Sequence, residues 1–301
     1  MTYHIKPYPN DKAYHQVFMD VVHFISKKNE EHQFLNMHWS RFEWMFARDT
    51  LNNYDLPEIT LFLDEHDKIC GLMTFEDEPR MWYMVYEDDK ILKKLMIDHF
   101  IERHDGDDLI IPNDPDMIEI LDKYTYEITD DKDPMIKFTF SHVACPQVDG
   151  YQIKSLEEDY RLDQIHHALW KGFNHGDDIN YSDENLESRR HTTSSPHFKK
   201  RYTYVATHDN QYVAYAGIWY LDGTKTALIE PVATVSEHRK KGLAKACIYH
   251  AICEAQKDGA KDIFVGSNQK FYYDIGFKDY YNAYYFRKNK QNSHMQLKVA
   301  V

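Results

Sequence analysis

Apolar positions change period several times along this chain, and the changes mark out its elements. Leu243, Cys247, Ile248, Ala251, Ile252 and Ala255 recur three and four residues apart, the spacing of one helix face. Asp258-Gly259 supplies the stop. Before this helix, Thr226–Val235 is an apolar run of strand character, and after it comes Asp262–Gly266. Working outwards, the pattern predicts strands at Tyr151–Leu156, Tyr202–Thr207, Tyr212–Tyr220 and Ala283–Lys288. It predicts helices at Asp159–Phe173, Asp183–His191 and Gln269–Ile275. The order is βααβββαβαβ.

The first half repeats this plan in weaker form. Helices are expected at Tyr14–Ser26, Trp39–Arg48 and Lys90–Glu102, with strands at Glu58–Asp64, Lys68–Phe75, Met81–Glu87 and Asp108–Ile111. Asp116–Tyr126 stands where Lys270–Tyr280 stands in the second half. Between the halves, Ser141–Gly150 has no helical period and contains Pro146 and Gly150. The expected division is a domain over 1–140, a linker over 141–150 and a second domain over 151–301, in an α/β chain.

Charge separates the halves. Residues 1–140 hold 15 Lys+Arg against 30 Asp+Glu, a net of −15, whereas residues 141–301 hold 21 against 19, a net of +2. An acidic chain without a basic face is not expected to bind nucleic acid. The acidic half either draws a cationic substrate or simply maintains solubility. No apolar run reaches the ~18 residues of a membrane span, and the polar start Met1–Pro7 is unlike a signal peptide. Cys70, Cys145, Cys247 and Cys253 are scattered, without a C-x-x-C pair. Their default reading is buried thiols in a reducing cytoplasm. Eighteen histidines raise the question of a metal, but no H-E-x-x-H or Cys/His cluster at ligand spacing is present, so none is expected.

The chemistry concentrates at Ile229–Lys245. A strand runs into the basic loop Arg239-Lys240-Lys241-Gly242, which opens onto the helix at Leu243-Ala244-Lys245. A helix N-terminus leaves N–H groups unpaired and favours negative charge, and Gly242 removes the Cβ that would obstruct a ligand. The loop matches neither G-x-x-x-x-G-K-S/T nor G-x-G-x-x-G. Arg239-x-x-Gly242-x-Ala244 instead resembles the R/Q-x-x-G-x-G/A signature of the GNAT superfamily of N-acetyltransferases. A second stretch, Asn268 with Tyr272-Tyr273-Asp274-Ile275-Gly276-Phe277, resembles that superfamily's N…Y-x-x-x-G-F segment, with a shorter Asn-to-Tyr spacing than many members. Trp170–His175 and Glu187–Arg190 also resemble segments of some bacterial members, where they line or cover the acceptor side.

The resemblance covers residues 150–290 and implies a mixed, twisted sheet flanked by helices. It implies acetyl-CoA as co-substrate, its pyrophosphate on the amides of residues 239–245 and its pantetheine arm along Val232, Ala233 and Thr234. A backbone N–H there would polarise the thioester. Lys240, Lys241 and Lys245 add charge, and Asn268 assists. Tyr272 would protonate the leaving thiolate; Tyr273 is its neighbouring rival. Glu230 is the candidate base, with a water chain or simple binding of the amine as alternatives. The acceptor is a primary amine of a small molecule or peptide, acetylated by direct transfer. The first half implies a degenerate tandem copy: its junction reads Glu87-Asp88-Asp89-Lys90, three carboxylates where a pyrophosphate would sit, and Leu121 stands in the tyrosine position. Like charges at that range repel by about 1 kcal/mol even in water. One cofactor site per chain follows, in a monomer whose halves act as a pseudo-dimer. The other functional class the residues allow is a non-catalytic acyl-CoA binder or scaffold on the same fold.

Overall fold

The computed structural model describes residues 2–47, 51–76 and 80–289. They fall into two compact units. One comprises the chain up to Pro134 together with the segment beginning at Tyr281; the other is Met135–Tyr280. The segment 141–150 lies within the second unit.

The first unit contains β1 (His4–Pro7), α1 (Gln16–Glu30), α2 (Trp39–Phe46), β2 (Thr60–Leu63), β3 (Ile69–Thr74), β4 (Met81–Tyr86), α3 (Lys90–His104), β5 (Asp108–Pro112) and α4 (Pro115–Asp122). Strand β6 (Tyr126–Phe138) then leads into the second unit. There follow β7 (Gln152–Ser155), α5 (Leu162–Gly172), α6 (Asp183–Ser194), β8 (Thr203–His208), β9 (Gln211–Tyr220), β10 (Thr226–Thr234), α7 (Leu243–Lys257), β11 (Asp262–Val265), α8 (Lys270–Asp274) and β12 (Phe277–Lys288). The helix expected to reach Arg48 ends at Phe46, and Arg48 lies outside the described residues. Strands β1 and β6 appear in no hydrophobic pattern. β1 is four exposed residues ending in Pro7, and the buried positions of β6 are interrupted by Glu127, Asp130, Asp131 and Lys132.

Both units are mixed sheets of one plan. In the first, β1, β2, β3 and β4 pair antiparallel in turn and β4 pairs parallel with β5. Its last strand comes from the end of the chain: Ala283–Phe286 of β12 pair antiparallel with Leu109–Pro112 of β5. In the second, β7, β8, β9 and β10 are antiparallel, β10 and β11 are parallel, and Ile136 and Lys137 of β6 pair with Val265 and Phe264 of β11. Each sheet therefore takes its final strand from the other half of the sequence.

The helical stripe read from the sequence is the buried face of α7: Leu243, Cys247, Ile248, Ala251, Ile252 and Ala255 are all within the core. They pack with Ala227 and Ile229 of β10, Ile218 of β9 and Ile263 of β11. Burial of this face holds the start of α7 against the end of β10.

Candidate functional site

Strand β10 makes the site by leaving its neighbour. Parallel pairing with β11 runs from Thr226↔Asp262 to Leu228↔Phe264. Beyond it, β10 stays on β9 but with a bulge between Ile229 and Val232. A bulge bends a strand and increases its twist. Val232, Ala233 and Thr234 consequently border a cleft of about 580 Å³. Its floor is the turn into α7, with Arg239, Lys240, Gly242, Leu243, Ala244 and Lys245. Its walls are the end of α5, at Gly172, Phe173 and Asn174, and the α8 region, at Gln269, Phe271 and Tyr272.

Gly242 has φ +83° and caps α7 without a side chain. A Cβ added to it would meet nothing within 4 Å, so the backbone here is bare toward open space. The first hydrogen bond within α7 is donated by the N–H of Ala246 to the carbonyl of Gly242, at 2.9 Å. The amides before it are those that a helix start leaves for an anion. Lys240 also has positive φ, +61°, which turns the loop sharply.

Two basic residues of the loop are otherwise engaged. The Arg239 guanidinium donates to the carbonyls of Thr234 (3.0 Å) and Gly172 (2.8 Å) and to Asn174 Oδ1 (3.0 Å). It ties β10 to α5 and holds the cleft's shape. Lys241 donates to the Tyr151 hydroxyl at 3.0 Å and does not border the cleft. Lys240 and Lys245 do border it. Gly172 permits the α5 contact, since a Cβ there would lie 2.6 Å from the Ala233 Cβ and 3.0 Å from the Thr234 nitrogen.

Tyr272 lies on the far wall. Its ring packs edge-on against Phe271 and Phe277, with centroids 5.1 and 5.8 Å away, and only 8% of the residue is exposed. Burial, with the charge of Glu230 adding to it, pushes its phenol up to about 12. Glu230 itself is not among the residues lining the cleft. Tyr273 is on the outside, with its hydroxyl donating to Asp279 Oδ1 at 2.5 Å. Gly276 has φ +102°, and a Cβ on it would strike the Phe140 ring at 2.5 Å. Half-buried Glu230 has its carbonyl held at 3.0 Å by the Trp219 indole N–H.

The cleft thus gathers Val232, Ala233, Thr234, Arg239, Lys240, Gly242, Leu243, Ala244, Lys245 and Tyr272 from the sequence-derived set. Asn268 is exposed and is not among the lining residues; Gln269 is. The shortened spacing before Tyr272 is the sequence signal for that shift. Asn174, with φ +60°, accepts from both Arg239 and Ser236, an anchoring role that no motif indicated. Trp170 donates to the Gly176 carbonyl at 3.2 Å, while Phe173 beside it reaches the cleft. Among the described residues no group of three or more His, Cys, Asp or Glu is placed to hold a metal ion.

The matching place in the first unit is built differently. β4 and β5 pair in parallel over three positions, as β10 and β11 do. The start of α3 is then filled by its own chain: Asp89 accepts from the N–H groups of Ile91 and Leu92, both at 2.9 Å. Lys93 reaches Asp88 at 2.5 Å, Asp114 at 2.9 Å and Asp116 at 3.3 Å, and Lys28 reaches Glu87 at 2.5 Å. Leu121 is fully buried. A pyrophosphate would have to displace the Asp89 cap and face the remaining carboxylates.

Residues 162–277 match the acetyltransferase (GNAT) family. Among solved structures the chain is similar to a GCN5-related N-acetyltransferase from Sphaerobacter thermophilus, at 11% identity over 95% of both chains and a TM-score of 0.57. It is similar to a tandem GNAT protein from the clavulanic acid biosynthesis pathway, at 11% identity over 95% of this chain and 98% of that one, TM-score 0.58. It is also similar to the C-terminal domain of a putative lysylphosphatidylglycerol synthetase from Agrobacterium fabrum, at 10% identity over 93% and 96% of the two chains, TM-score 0.55. No curated protein matches. At these identities the structural likenesses show the fold, two GNAT-like domains in tandem.

Proposed function

We propose that this chain, which carries a domain of the acetyltransferase (GNAT) family at residues 162–277, moves an acetyl group from acetyl-CoA to a primary amine of a small molecule or peptide by direct transfer. The observation that supports this reading most is the meeting, in one cleft, of the parted end of β10, the bare start of α7 and a buried phenol. The amides of Lys240–Lys245, with the Lys240 and Lys245 side chains, take the pyrophosphate. The open edge of Val232–Thr234 takes the pantetheine arm and directs an N–H at the thioester oxygen, where negative charge develops during transfer. Acetyl-CoA itself supplies the activated acyl group.

The amine loses a proton and the sulfur gains one. Glu230 accepts the first, and Tyr272 donates the second. With the phenol near 12 and a free thiol near 8.5, complete transfer from tyrosine would be uphill by ~5 kcal/mol. Tyr272 therefore acts as a hydrogen-bond donor to the sulfur as the bond breaks, handing over its proton only as it is resupplied from the amine side. The neighbouring Glu230 charge disfavours a phenolate, which keeps the donor protonated. Placement in the cytoplasm, action as a monomer and a packing role for the first unit belong to the same proposal.

Release of free CoA from acetyl-CoA, followed with a thiol reagent across a panel of primary amines, tests it. Amine-dependent release is expected. Tight acetyl-CoA binding with no amine accelerating release would instead favour the non-catalytic binder.

A further inference from the structure

Cys145 and Cys253 are 108 positions apart in sequence, yet their sulfurs are 2.8 Å apart, with the Cys145 thiol donating to the Cys253 sulfur. Both residues belong to the second unit. Cys145 is exposed and Cys253, on α7, is half-buried; Cys70 and Cys247 are buried. The strand of chain that carries Cys145 is held along α7 by its neighbours. The Cys253 thiol donates to the Val143 carbonyl at 3.4 Å and His250 meets the Pro146 carbonyl at 3.2 Å. Val143 and Val148 pack on the core under α7.

We propose that Cys145 and Cys253 form a redox-modification site, a dithiol that hydrogen peroxide closes to a disulfide fastening the 141–150 segment to α7. The sulfurs need about 0.8 Å of travel to reach bonding distance. The segment has no helix or strand of its own to resist that movement.

The exposed Cys145 reacts first. Its thiolate attacks one peroxide oxygen, the O–O bond breaks, and Cys145 becomes a sulfenic acid as water leaves. The Cys253 sulfur then attacks the Cys145 sulfur, the S–O bond breaks, and a second water leaves. Two S–H bonds are lost, one S–S bond forms, and two electrons reduce one peroxide to two waters. Burial, reinforced by the Cys145 contact, pushes the Cys253 thiol up and disfavours it as the first nucleophile; its sulfur, 2.8 Å from that of Cys145, is placed to close the bond once Cys145 has been oxidised.

This site is independent of acetyl transfer, and its test does not measure activity. The reduced full chain is treated with hydrogen peroxide, then unfolded for thiol counting and peptide mass mapping. The count should fall from the four cysteines of the sequence to two, with one linked pair of peptides carrying Cys145 and Cys253. Dithiothreitol should restore all four. Cys145→Ser and Cys253→Ser should each abolish the linked pair. A wild-type chain that keeps four thiols, links other cysteines, joins two chains, or goes only to dithiothreitol-resistant acids would overturn the proposal. The wild-type mapping stands by itself should either serine variant fail to fold.

Discussion

Tyr272 is one of 23 tyrosines, so residue type alone says nothing about its role. Its place on the cleft wall, packed against Phe271 and Phe277, is what sets it apart. Tyr272→Phe keeps the ring packed against Phe271 and Phe277 and removes only the donor. Turnover should fall about 10²–10⁴-fold with acetyl-CoA affinity unchanged, read by steady-state rates beside calorimetric titration. A parent rate in the variant would remove Tyr272 from the mechanism. The pH dependence has a definite sign. A phenol raised to about 12 is protonated, and so able to donate, throughout the range below it. The wild-type rate should show no loss between pH 8 and 10 that Tyr272→Phe abolishes. Gly242 is tested by a pair of variants. Gly242→Ala meets open space and bears only the strain of its positive φ, about 1–2 kcal/mol. Gly242→Asp adds a charge where the pyrophosphate would lie and should abolish acetyl-CoA binding in the same titration. Undiminished affinity of the aspartate variant would put the phosphates elsewhere. Much of this cleft was readable from two short motifs, because backbone geometry at a loop and a helix start depends on a few residue types close in sequence. The partners of Arg239 were not readable. Its bonds to Gly172 and Asn174 join positions more than sixty residues apart, and no local pattern reports such a tie.

Elements with a periodic apolar face were legible throughout, since burial on one side leaves its spacing in the sequence. The stripe of α7 is an example, whereas β9 was legible as a continuous apolar run, buried from Tyr212 to Tyr220. β6 was not legible, because its burial is concentrated in Tyr126, Met135, Ile136 and Phe138 with charged residues between. A strand can be fixed by where its ladder forms rather than by its average hydropathy. Element-level chemistry also decides cofactor number. The start of α7 is bare, whereas that of α3 is capped by Asp89 and flanked by lysine-bound carboxylates. Titration should therefore give one acetyl-CoA per chain, and two equivalent sites would contradict the assignment of the first unit as degenerate. At α2 the capping residue is itself titratable. His38 is fully buried, accepts from the Ser40 N–H, and is brought down to about 3 by burial, with Arg41 adding to it. A histidine depressed in the folded state contributes stability above its unfolded value of about 6.5. That contribution is lost as pH falls toward 3, by up to about 1.4 kcal/mol per unit. Urea unfolding at pH 7.5 and 5.5 should show this fall. His38→Asn, which retains a capping side chain, should flatten the slope by up to about one proton; an unchanged slope would assign the acid sensitivity to other groups.

At the scale of the whole chain, the exchanged final strands set what can be removed. A division near 141–150 follows from the composition of that segment, but a fragment ending there lacks the residues that pair with β5. Those residues, Ala283–Phe286, lie at the opposite end of the sequence. Just beyond them, Arg287 pairs with Asp108 at 2.8 Å and with Asp131 at 2.5 Å, and Lys288 pairs with Asp105, in a half of the sequence that carries a net charge of −15. A chain stopped after Tyr280 would lose all of these. Surface pairs of this kind contribute little singly, but loss of the strand leaves the β5 ladder groups unpaired on one side and uncovers Leu109, Ile110 and Ile111, which are fully buried in the intact chain. Every residue bordering the cleft remains, since all lie between Gly172 and Tyr272. Truncation is therefore expected to act on the first unit: amide exchange in β4, β5 and α3 should accelerate sharply, while protection of β9, β10 and α7 and affinity for acetyl-CoA persist. Hydrogen exchange followed by mass spectrometry, run beside calorimetric titration, separates the two effects. Continued protection of β5 in the truncated chain would show that the terminal strand is dispensable there. Loss of acetyl-CoA binding together with β5 protection would show that the second unit cannot hold its cleft once the first has opened.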